Sequence, residues 1–532
     1  MKLLVRPASQ ALVLIILALA MGPKAHAQNT FYVSSSAGSD NNSASQAQNT
    51  ATPWAHAPGM AAATGAAASY HPVPGDQIIL RGCDTWTFND QWNLTFSGSG
   101  GNPVIIGVDK SWYNTSACPN GWNRPIISGG GSWPGGATKA FIEMGAVSNV
   151  NIQWLEFTGL YWSGSGSGIY IDLGTASGVN IGPNNYFHGW SYGVGSLAGG
   201  NFSSAIYVGS GSGSPGNSVF SNAFDGADAT HGAQSVFVGM TGYGPQVYQN
   251  YFAYQGSCLV GGFPSVHDNV FQTCGIPAVE AGLHNNVFEE NSDPSGGGTF
   301  YNNVIMNATG TTTNSVIPMQ LAPQAGDSSY VFNNIFINQP NAGTSPISCY
   351  SALSNPGGTC NVFNNTIECG ADSGPTWSCM ENGDHGPAYT TTIYTANHEI
   401  TSGTPLNIKG GIITQSPKPS ILQTLSAANG QGFSSGSKFA PTSTNSATVG
   451  AGNNFASLCN GPIAARSSAA QAACLKDTTQ AVSYDSDSHV VSYPARNPMP
   501  RPSGTWDAGA YQFSAVSATQ PQPPSGLTAA VQ

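Results

Sequence analysis

Asn302-Asn303-Val304-Ile305 is one copy of a signature that recurs through the middle of the chain. In each copy an asparagine is followed two places later by a large apolar residue. The asparagines are Asn185, Asn222, Asn250, Asn269, Asn286, Asn303, Asn334 and Asn365. The apolar residues are Phe187, Phe224, Phe252, Phe271, Phe288, Ile305, Phe336 and Ile367. Successive asparagines lie 17 to 37 residues apart, so one turn repeats while the loops between turns vary in length. The pattern predicts a solenoid.

The signature has a physical reason in a coil built of short strands. Each strand pairs in parallel with the same strand of the next coil, and the apolar residues stack in rows inside. Asparagine tolerates the left-handed backbone of a sharp corner, and amides repeated at one corner form a hydrogen-bonded ladder. We therefore assign these asparagines to a corner, in preference to metal binding or glycosylation. One coil earlier, Leu155 and Phe157 occupy the corner and core positions without the asparagine.

The two ends of the chain contain further strings of residues that are informative. The first end has Phe31-Tyr32-Val33-Ser34, Gly38-Ser39-Asp40, Thr52-Pro53-Trp54 and Pro74-Gly75-Asp76-Gln77-Ile78, and the last has Asp507-Ala508-Gly509-Ala510-Tyr511. Together with the asparagine turns, they resemble the secreted right-handed parallel β-helix proteins of the pectate-lyase-like superfamily. The resemblance covers residues 31–513. It implies an all-β, right-handed parallel β-helix with a small N-terminal cap and an irregular C-terminal cap, and a connection with carbohydrate. It implies no particular reaction, because the matching strings are structural.

The chain divides into five segments. Residues 1–27 are typical of a signal peptide, with Lys2 and Arg6, an apolar stretch from Leu12 to Met21, and cleavage after Ala27. We expect a cap and first coils over 28–140, the β-helix over 141–410, a C-terminal cap over 411–513 and a flexible Pro-rich tail over 514–532. No later stretch is long and apolar enough to span a bilayer. The prediction is therefore a secreted or periplasmic protein without a membrane anchor; an uncleaved single-span anchor is the alternative.

The cysteines support export. All ten lie after the cleavage site, and an even number in an exported chain favours disulfides. Pairing between neighbours gives Cys83–Cys118, Cys258–Cys274, Cys349–Cys360, Cys369–Cys379 and Cys459–Cys474. Sequence alone does not establish this connectivity. Metal binding by these cysteines is the rival interpretation, but no Cys-x-x-Cys or paired-histidine spacing supports it.

The charge balance of the chain argues against several classes of binding partner. Charged residues make up 7% of the chain, against about 25% in an average soluble domain. After removal of the signal, 11 basic and 25 acidic residues leave a net charge of −14, which argues against nucleic acid and anionic membranes as partners. From Ala140 to Ile408 there is no lysine or arginine. Polysaccharide lyases of this fold typically use such residues, and here only Arg81, Arg124 or Lys139 of the cap could supply one.

The densest group of titratable residues is Asp225, Asp228 and His231. If the coil register holds, the residues after the core phenylalanines form an outward column: His188, Asp225, Ala253, Gln272 and Glu289. His188 then lies one coil, about 4.8 Å, below Asp225. Carboxylates and imidazoles on one face supply a general acid and base for glycoside hydrolysis. The alternative is that the aspartates cap a Gly-rich loop and His231 is solvated.

Two further groups have an ordinary explanation. His267, Asp268, Glu280 and His284 span neighbouring coils, where a role in turns is expected. The run from Glu289 through Glu290 to Asp293 has oxygen ligands for Ca²⁺ but no established motif. We therefore predict no cofactor, with Ca²⁺ as the one candidate.

Aromatic residues crowd the first coils. Trp154, Tyr161, Trp162 and Trp190 are the candidate substrate-binding residues. Exposed on one face, their rings stack on the apolar faces of sugars; buried, they fill the core beneath the cap.

These observations predict a monomeric extracellular protein that binds or hydrolyses a neutral or weakly charged polysaccharide. If it is an enzyme, a glycoside hydrolase is favoured over a lyase. A non-catalytic adhesin or structural scaffold is the alternative.

Overall fold

The structure is a computed structural model. It describes residues 28–87, 90–130, 139–162, 168–192, 204–208, 216–226, 244–274, 286–290, 297–308, 317–338, 345–349, 358–369, 379–382, 391–401, 413–414 and 418–513. The predicted signal peptide, the predicted C-terminal tail and several segments of the body lie outside these residues.

The chain winds into a parallel β-helix, as predicted, with three faces. The first face is a parallel sheet of 13 strands in the described chain: Thr30–Val33, Gln77–Gly82, Val104–Tyr113, Val150–Ile152, Asn180–Ile181, Ser218–Phe220, Gln246–Tyr248, Ser265–His267, Thr299–Tyr301, Ser328–Phe332, Thr359–Phe363, Thr391–Thr395 and Ile413–Thr414. The second face is a parallel sheet of 12 strands: Thr85–Thr87, Ile126–Ser128, Glu156–Thr158, Tyr186–Phe187, Ala223–Asp225, Tyr251–Gln255, Val270–Cys274, Val304–Met306, Ile335–Ile337, Thr366–Cys369, His398–Thr401 and Ile421–Thr424.

The third face consists of shorter parallel sheets. Four strands form its first part: Trp92–Leu94, Lys139–Met144, Gly168–Asp172 and Ser204–Tyr207. Five strands form its second part: Leu259–Val260, Phe288–Glu289, Met319–Leu321, Ile347–Cys349 and Met380–Asn382. A separate pair of strands joins Leu160–Trp162 to Trp190–Tyr192.

Helical segments occur near both ends. The α-helices are Ala44–Ala47, Gly65–Ser69, Leu425–Gly430, Ala456–Leu458, Ala464–Arg466 and Ser468–Cys474, with a 3-10 turn at Ser435–Ser437 and a π turn at Cys459–Ile463. The strands Ser483–Asp485 and Val490–Ser492 form an antiparallel hairpin, which we call the C-terminal hairpin. In the described part of the chain no helix is long and apolar enough to cross a membrane.

A ladder of buried asparagines runs along the corner between the first and second sheets. Its members are Asn185, Asn222, Asn250, Asn269, Asn303, Asn334, Asn365 and Asn397. Each side-chain nitrogen donates to the Oδ1 of the next member at 2.9–3.2 Å. The ladder begins at the backbone N–H of Leu155 and ends at Ser420. The amide ladder inferred from the sequence is confirmed for seven of the eight asparagines named there.

The left-handed corner residue is the one before each ladder asparagine. The backbone angle φ is 52–65° at each corner residue: Trp154, Asn184, Ser221, Gln249, Asp268, Asn302, Asn333, Asn364 and Ala396. Asparagine is favoured there because it tolerates this conformation, whereas the ladder asparagine is selected for its buried hydrogen bonds. Where two asparagines are consecutive, the first therefore adopts the left-handed corner conformation and the second forms the hydrogen bonds of the ladder.

Asn286 was predicted wrongly to belong to the ladder. Its strand pairs on the third face, where Phe288 lies between Leu259 and Met319. Its side chain donates to Glu289 and Gln320, each at 3.0 Å. One full coil therefore separates Asn269 from Asn303. The signature does not predict Asn397 as a ladder member, because the residue two places later is Glu399 and not a large apolar residue.

A stack of aromatic rings fills the interior behind the second sheet. Phe157, Phe187, Phe224, Phe252 and Phe271 lie nearly parallel, with successive ring centroids 4.6–5.1 Å apart. Because the parallel strands repeat at about this spacing, identical rings at one register position contact their neighbours face to face. The predicted core row is confirmed except for Phe288, which lies on the third face.

The strings that carry the resemblance at the N-terminus hold the cap together. Asp40 accepts hydrogen bonds from the backbone N–H groups of Ala55, His56 and Thr64 at 2.9–3.0 Å. Buried Asp76 accepts from the Tyr70 hydroxyl at 2.7 Å. These carboxylates satisfy backbone donors that would otherwise be buried unpaired.

The C-terminal region lies along the flank of the helix as well as near its last coils. Ala481, Val482 and Tyr511 pack on the outward side of the second sheet, in one buried cluster with Tyr251 and Ile335. Asp268 and Asn333, which lie at the corner, contact Thr479 and Arg501. This segment therefore covers an apolar sheet face that the coils alone leave exposed.

All five disulfides join neighbouring cysteines as predicted: Cys83–Cys118, Cys258–Cys274, Cys349–Cys360, Cys369–Cys379 and Cys459–Cys474.

Glu399 generates a prediction about stability and pH. It occupies a core position between Ile367 and Leu422, and burial raises its pKa to about 7. The folded chain therefore favours the protonated carboxyl. The contribution of this carboxyl to the free energy of unfolding is fully present below about pH 4.5, the ordinary pKa of the group. It is lost as the pH rises to about 7.

We expect Glu399→Gln to be more stable than the parent at pH 8 by up to about 3 kcal/mol, at about 1.4 kcal/mol per pKa unit. At pH 4.5 the two should unfold alike. The measurement is denaturant unfolding at both pH values, with the exposed Asp487→Asn as control. A variant with the same relative stability at both pH values would contradict the prediction.

Candidate functional site

Part of the predicted outward column of residues that follow the core phenylalanines is present on the second sheet. Strand Tyr186–Phe187 pairs in register with Ala223–Asp225, so His188 lies one strand below Asp225, as predicted. Ala253 and Gln272 follow. The next position is Met306 and not Glu289, because Glu289 lies on the third face. Asp228 and His231 lie outside the described residues.

His188 is partnered by an acid that the sequence analysis did not single out. Its Nε2 lies 2.9 Å from Oε1 of Glu156, and the two side chains are 28% and 13% exposed. Glu156 stands on the preceding coil, where it pairs with Tyr186.

Asp225 is held by the C-terminal hairpin. The Tyr484 hydroxyl donates to its Oδ2 at 2.6 Å, so Nδ1 of His489, 2.7 Å from the same hydroxyl, is the donor in that contact. Burial, and then the hydrogen bond to Asp225, raise the pKa of Tyr484. The hairpin rings also lie flat on the sheet: His489 stacks on Tyr186 at 3.8 Å and Tyr484 on Tyr251 at 4.0 Å.

Arg124 is the cap arginine that reaches this acidic side. It is 2% exposed, and it donates to the carbonyl oxygens of Asn184, Ser488 and His489 at 2.9–3.0 Å. Burial lowers its pKa. Since its nitrogens are all engaged and shielded from solvent, the guanidinium secures the hairpin and is closed to a polymer. The two described members of the predicted cluster, His188 and Asp225, thus have hydrogen-bonding partners within the fold.

The aromatic candidates separate into different environments. Trp190 is completely buried, so its ring fills the core and the prediction of substrate contact is wrong for this residue. Trp154 is half-buried at the corner, with the Lys110 ammonium 3.2 Å from its ring centroid. The strand containing Tyr161 and Trp162 is present, but their side chains lie outside the described residues.

The second predicted group also has a structural role. Asp268 is a left-handed corner residue; it contacts His267 at 2.8 Å and accepts a hydrogen bond from Thr479. Glu280 and His284 lie outside the described residues.

The proposed calcium ligands are partly described. Glu289 accepts from Asn286, and fully buried Glu290 accepts from the Ala322 N–H at 3.0 Å. Residues 291–293 lie outside the described part. Within it, no group of three or more His, Cys, Asp or Glu side chains is arranged to hold a metal ion.

The third face brings together two acids that the sequence analysis missed. Glu143 and Asp172 are register partners on adjacent strands, flanked by Asn93 and Tyr207. We call these four residues the acid row. Asn93 and Glu143 are exposed and the other two are half-buried, so the row faces outward. Adjacent parallel strands are about 4.8 Å apart, which brings the two carboxyl groups within direct electrostatic influence.

The two carboxyl groups differ in environment. Burial raises the pKa of Asp172, and the nearby Glu143 charge raises it further, while a hydrogen bond from the Gly174 N–H opposes the shift. Glu143 is solvated. Neighbouring acids whose environments differ in this way supply a proton donor and a carboxylate. Aligning Phe141-Ile142-Glu143 with Tyr170-Ile171-Asp172 would have revealed the pair, but only with the register known.

Comparison with known proteins yields fold likeness only. No family model and no curated protein matches the chain. Among solved structures, the GH136 lacto-N-biosidase of Eubacterium ramulus aligns over 75% of this chain and 68% of its own, at 12% identity and a TM-score of 0.46. Pectate lyase Pel9A aligns over 92% and 97%, at 12% identity and 0.38. An alginate lyase from Paenibacillus aligns over 66% and 91%, at 15% identity and 0.34. Identities this low carry no activity across.

The anchoring of the hairpin is testable through Tyr484→Phe. The variant keeps the ring that stacks on Tyr251 and removes the donor to Asp225. Loss of one charge-assisted hydrogen bond costs about 1.5–3 kcal/mol, so amide hydrogen exchange over 483–492 should accelerate about tenfold or more.

The control is Tyr493→Phe, a half-exposed tyrosine just beyond the hairpin. Exchange that is unchanged in Tyr484→Phe, or equally faster in both variants, would show that Asp225 does not hold the hairpin.

Proposed function

We propose that this is an extracellular protein that binds a neutral or weakly charged polysaccharide along the third face and hydrolyses it at the acid row. The observation that supports this most strongly is the in-register pair of Glu143 and Asp172, outward-facing and unequal in environment. Of the predicted cluster around Asp225, the two described members are less suitable, because His188 pairs with Glu156 and Asp225 is bound to the hairpin.

The chemistry follows from the two environments. Asp172, whose pKa is raised by burial, is the better suited of the two to donate a proton to the leaving glycosidic oxygen. The exposed Glu143 faces the anomeric carbon. Carboxyl groups about 5–5.5 Å apart are typical of retaining hydrolysis, in which the carboxylate attacks directly. The strand spacing favours that mode over one that places a water between the acids.

The neighbours of the pair suit a neutral sugar. Asn93 and Tyr207 supply an amide and a hydroxyl, which bind sugar hydroxyl groups without requiring a charge. A uniformly anionic polymer is disfavoured, because the two acids of the row repel it. Lys139 begins the same strand as Glu143, but its side chain lies outside the described residues.

Extracellular action is part of the proposal. Five disulfides persist in oxidising compartments and are rare in the cytosol. The predicted signal peptide over 1–27 supports the same location.

The catalytic assignment predicts the behaviour of two variants. Glu143→Gln and Asp172→Asn preserve shape and remove the titrating group, so each should lower the rate of hydrolysis by about 10²–10⁴-fold. The measurement is the release of reducing ends from a panel of neutral and weakly charged polysaccharides. Asp225→Asn and the exposed Asp487→Asn are the matched controls and should stay within a few-fold of the parent. Full activity in Glu143→Gln, or a collapse in Asp225→Asn, would contradict the assignment.

A non-catalytic scaffold is the second candidate. It is favoured by the engagement of Asp225, His188 and Arg124 within the fold. The same panel separates the possibilities: reducing ends without unsaturated products indicate hydrolysis, and unsaturated products indicate elimination. Retention of the polymer without any cleavage indicates a scaffold.

A further inference from the structure

A group of tryptophans and cations lies at the N-terminal end of the corner between the first and second sheets. It consists of Trp112, Trp122, Trp154, Arg81 and Lys110, and we call it the tryptophan shelf. Residues 81 and 110–112 belong to neighbouring strands of the first sheet, and Trp154 is the corner residue of the following coil. The shelf therefore extends over about 10 Å along the helix axis, the length of about two sugar units.

Each cation of the shelf lies against an indole. The Lys110 ammonium is 3.2 Å from the ring centroid of Trp154 and 5.1 Å from that of Trp122. The Arg81 guanidinium carbon is 5.8 Å from the centroid of Trp112. Lys110 is exposed, and the three indoles are half-buried, so the cations and ring edges are accessible together.

The cations have no acid partner in the described chain. Neither Arg81 nor Lys110 forms an ion pair there. Two acids are close in sequence, but neither forms an ion pair with these cations. Arg81 Nη1 donates to the Ser36 hydroxyl at 3.4 Å, and Nη2 donates to the Tyr113 carbonyl at 3.2 Å. Buried Asp84 accepts from the hydroxyls of Ser34 and Ser36 at 2.6 and 2.7 Å, and Asp109 accepts from Ser111 at 2.7 Å.

Two donors of the shelf are also unsatisfied. Arg81 Nε and Trp122 Nε1 are buried and have no hydrogen-bond partner among the residues that the structure describes. Buried donors without a partner are costly, and the shelf holds two of them beside two cations that form no ion pair in the described chain. The arrangement is explained if a ligand supplies the anion.

We propose that the tryptophan shelf is an accessory binding site for a polysaccharide that bears anionic groups. The apolar face of a sugar ring packs on the indoles of Trp122 and Trp154, and its carboxylate or sulfate pairs with Lys110 and Arg81. The site lies at the corner between the first two sheets, whereas the acid row belongs to the third face. It anchors the protein to a charged matrix, independently of whether the chain cleaves anything.

The test is affinity electrophoresis through gels that contain a polymer and its uncharged counterpart. Carboxymethyl cellulose is compared with hydroxyethyl cellulose, and dextran sulfate with dextran. The parent should be retarded by at least one anionic polymer, less so at high salt, and not by the matched neutral one. The carboxylated and sulfated arms identify which anion is bound.

The variants assign the binding to the shelf. Arg81→Gln with Lys110→Gln should weaken retardation about tenfold, because two charge contacts with the polymer are lost. Trp154→Asn should weaken it several-fold and still fold, because asparagine occupies the same corner at Asn302, Asn333 and Asn364. Thermal unfolding verifies that each variant is folded. Lys476→Gln removes an exposed lysine elsewhere and is the control.

Three results would overturn the proposal. They are passage of the parent through every anionic gel without retardation, binding of the double variant equal to that of the parent, and a loss of binding in Lys476→Gln as large as in the double variant. The last result would show a general charge effect and no shelf. No turnover is measured, so failure here leaves the proposed hydrolysis untouched, and failure of the hydrolysis leaves the shelf untouched.

Discussion

The hydrogen-bonded asparagine ladder is the constraint on which the rest of the structure depends. Coils differ in length by nearly a factor of two, from 19 residues between Asn250 and Asn269 to 37 between Asn185 and Asn222. Loop length therefore cannot determine which residue stacks on which. Each ladder asparagine binds the next coil through backbone and side chain, as in the pairs from Asn303 to Asn334 at 3.0 and 2.9 Å. A slip by one residue would leave these buried amides unpaired, so the ladder fixes the register.

Register in turn decides where chemistry is possible. It places Phe157 under Phe187 inside the helix, and it places Glu143 beside Asp172 outside. It also gathers Glu156, His188 and Asp225 on the second sheet, where the returning C-terminal segment covers them. The titratable groups on the second sheet thus stabilise the contact with the C-terminal segment, while the acid row on the third face remains open to solvent. A chain with few charges uses most of them for structure, and the exposed acid row and tryptophan shelf stand out for that reason.

Much of the fold was predictable because its signals are local. The asparagine turns, the core phenylalanines and the five neighbour disulfides all lie within one coil or adjacent coils. Asn286 was misplaced because asparagine, one residue, then phenylalanine also suits a strand of the third face. Substrate contact is predicted for Trp190 because the sequence does not distinguish an inward from an outward ring in a strand whose register is unknown.

The site was predictable only in part. His188 below Asp225 followed from the repeat, since both flank a core phenylalanine. The partner of Asp225 is Tyr484, 259 residues away, and no periodic signal connects them. Glu143 and Asp172 sit in coils that lack the asparagine, so nothing in the sequence aligned their strands. The sequence therefore does not predict contacts between distant segments or the register of the first coils, which lack the asparagine.

The most direct test of this account is the free energy of unfolding of Asn334→Ala. Asn334 donates to Phe300, Phe332 and Asn365 and accepts twice from Asn303. Its loss leaves several buried groups unpaired, so we expect a loss of about 3 kcal/mol or more. Asn429→Ala, at an exposed helical position, is the control and should change stability by less than about 0.5 kcal/mol. Equal, small losses in both variants would show that the ladder does not fix the coil register.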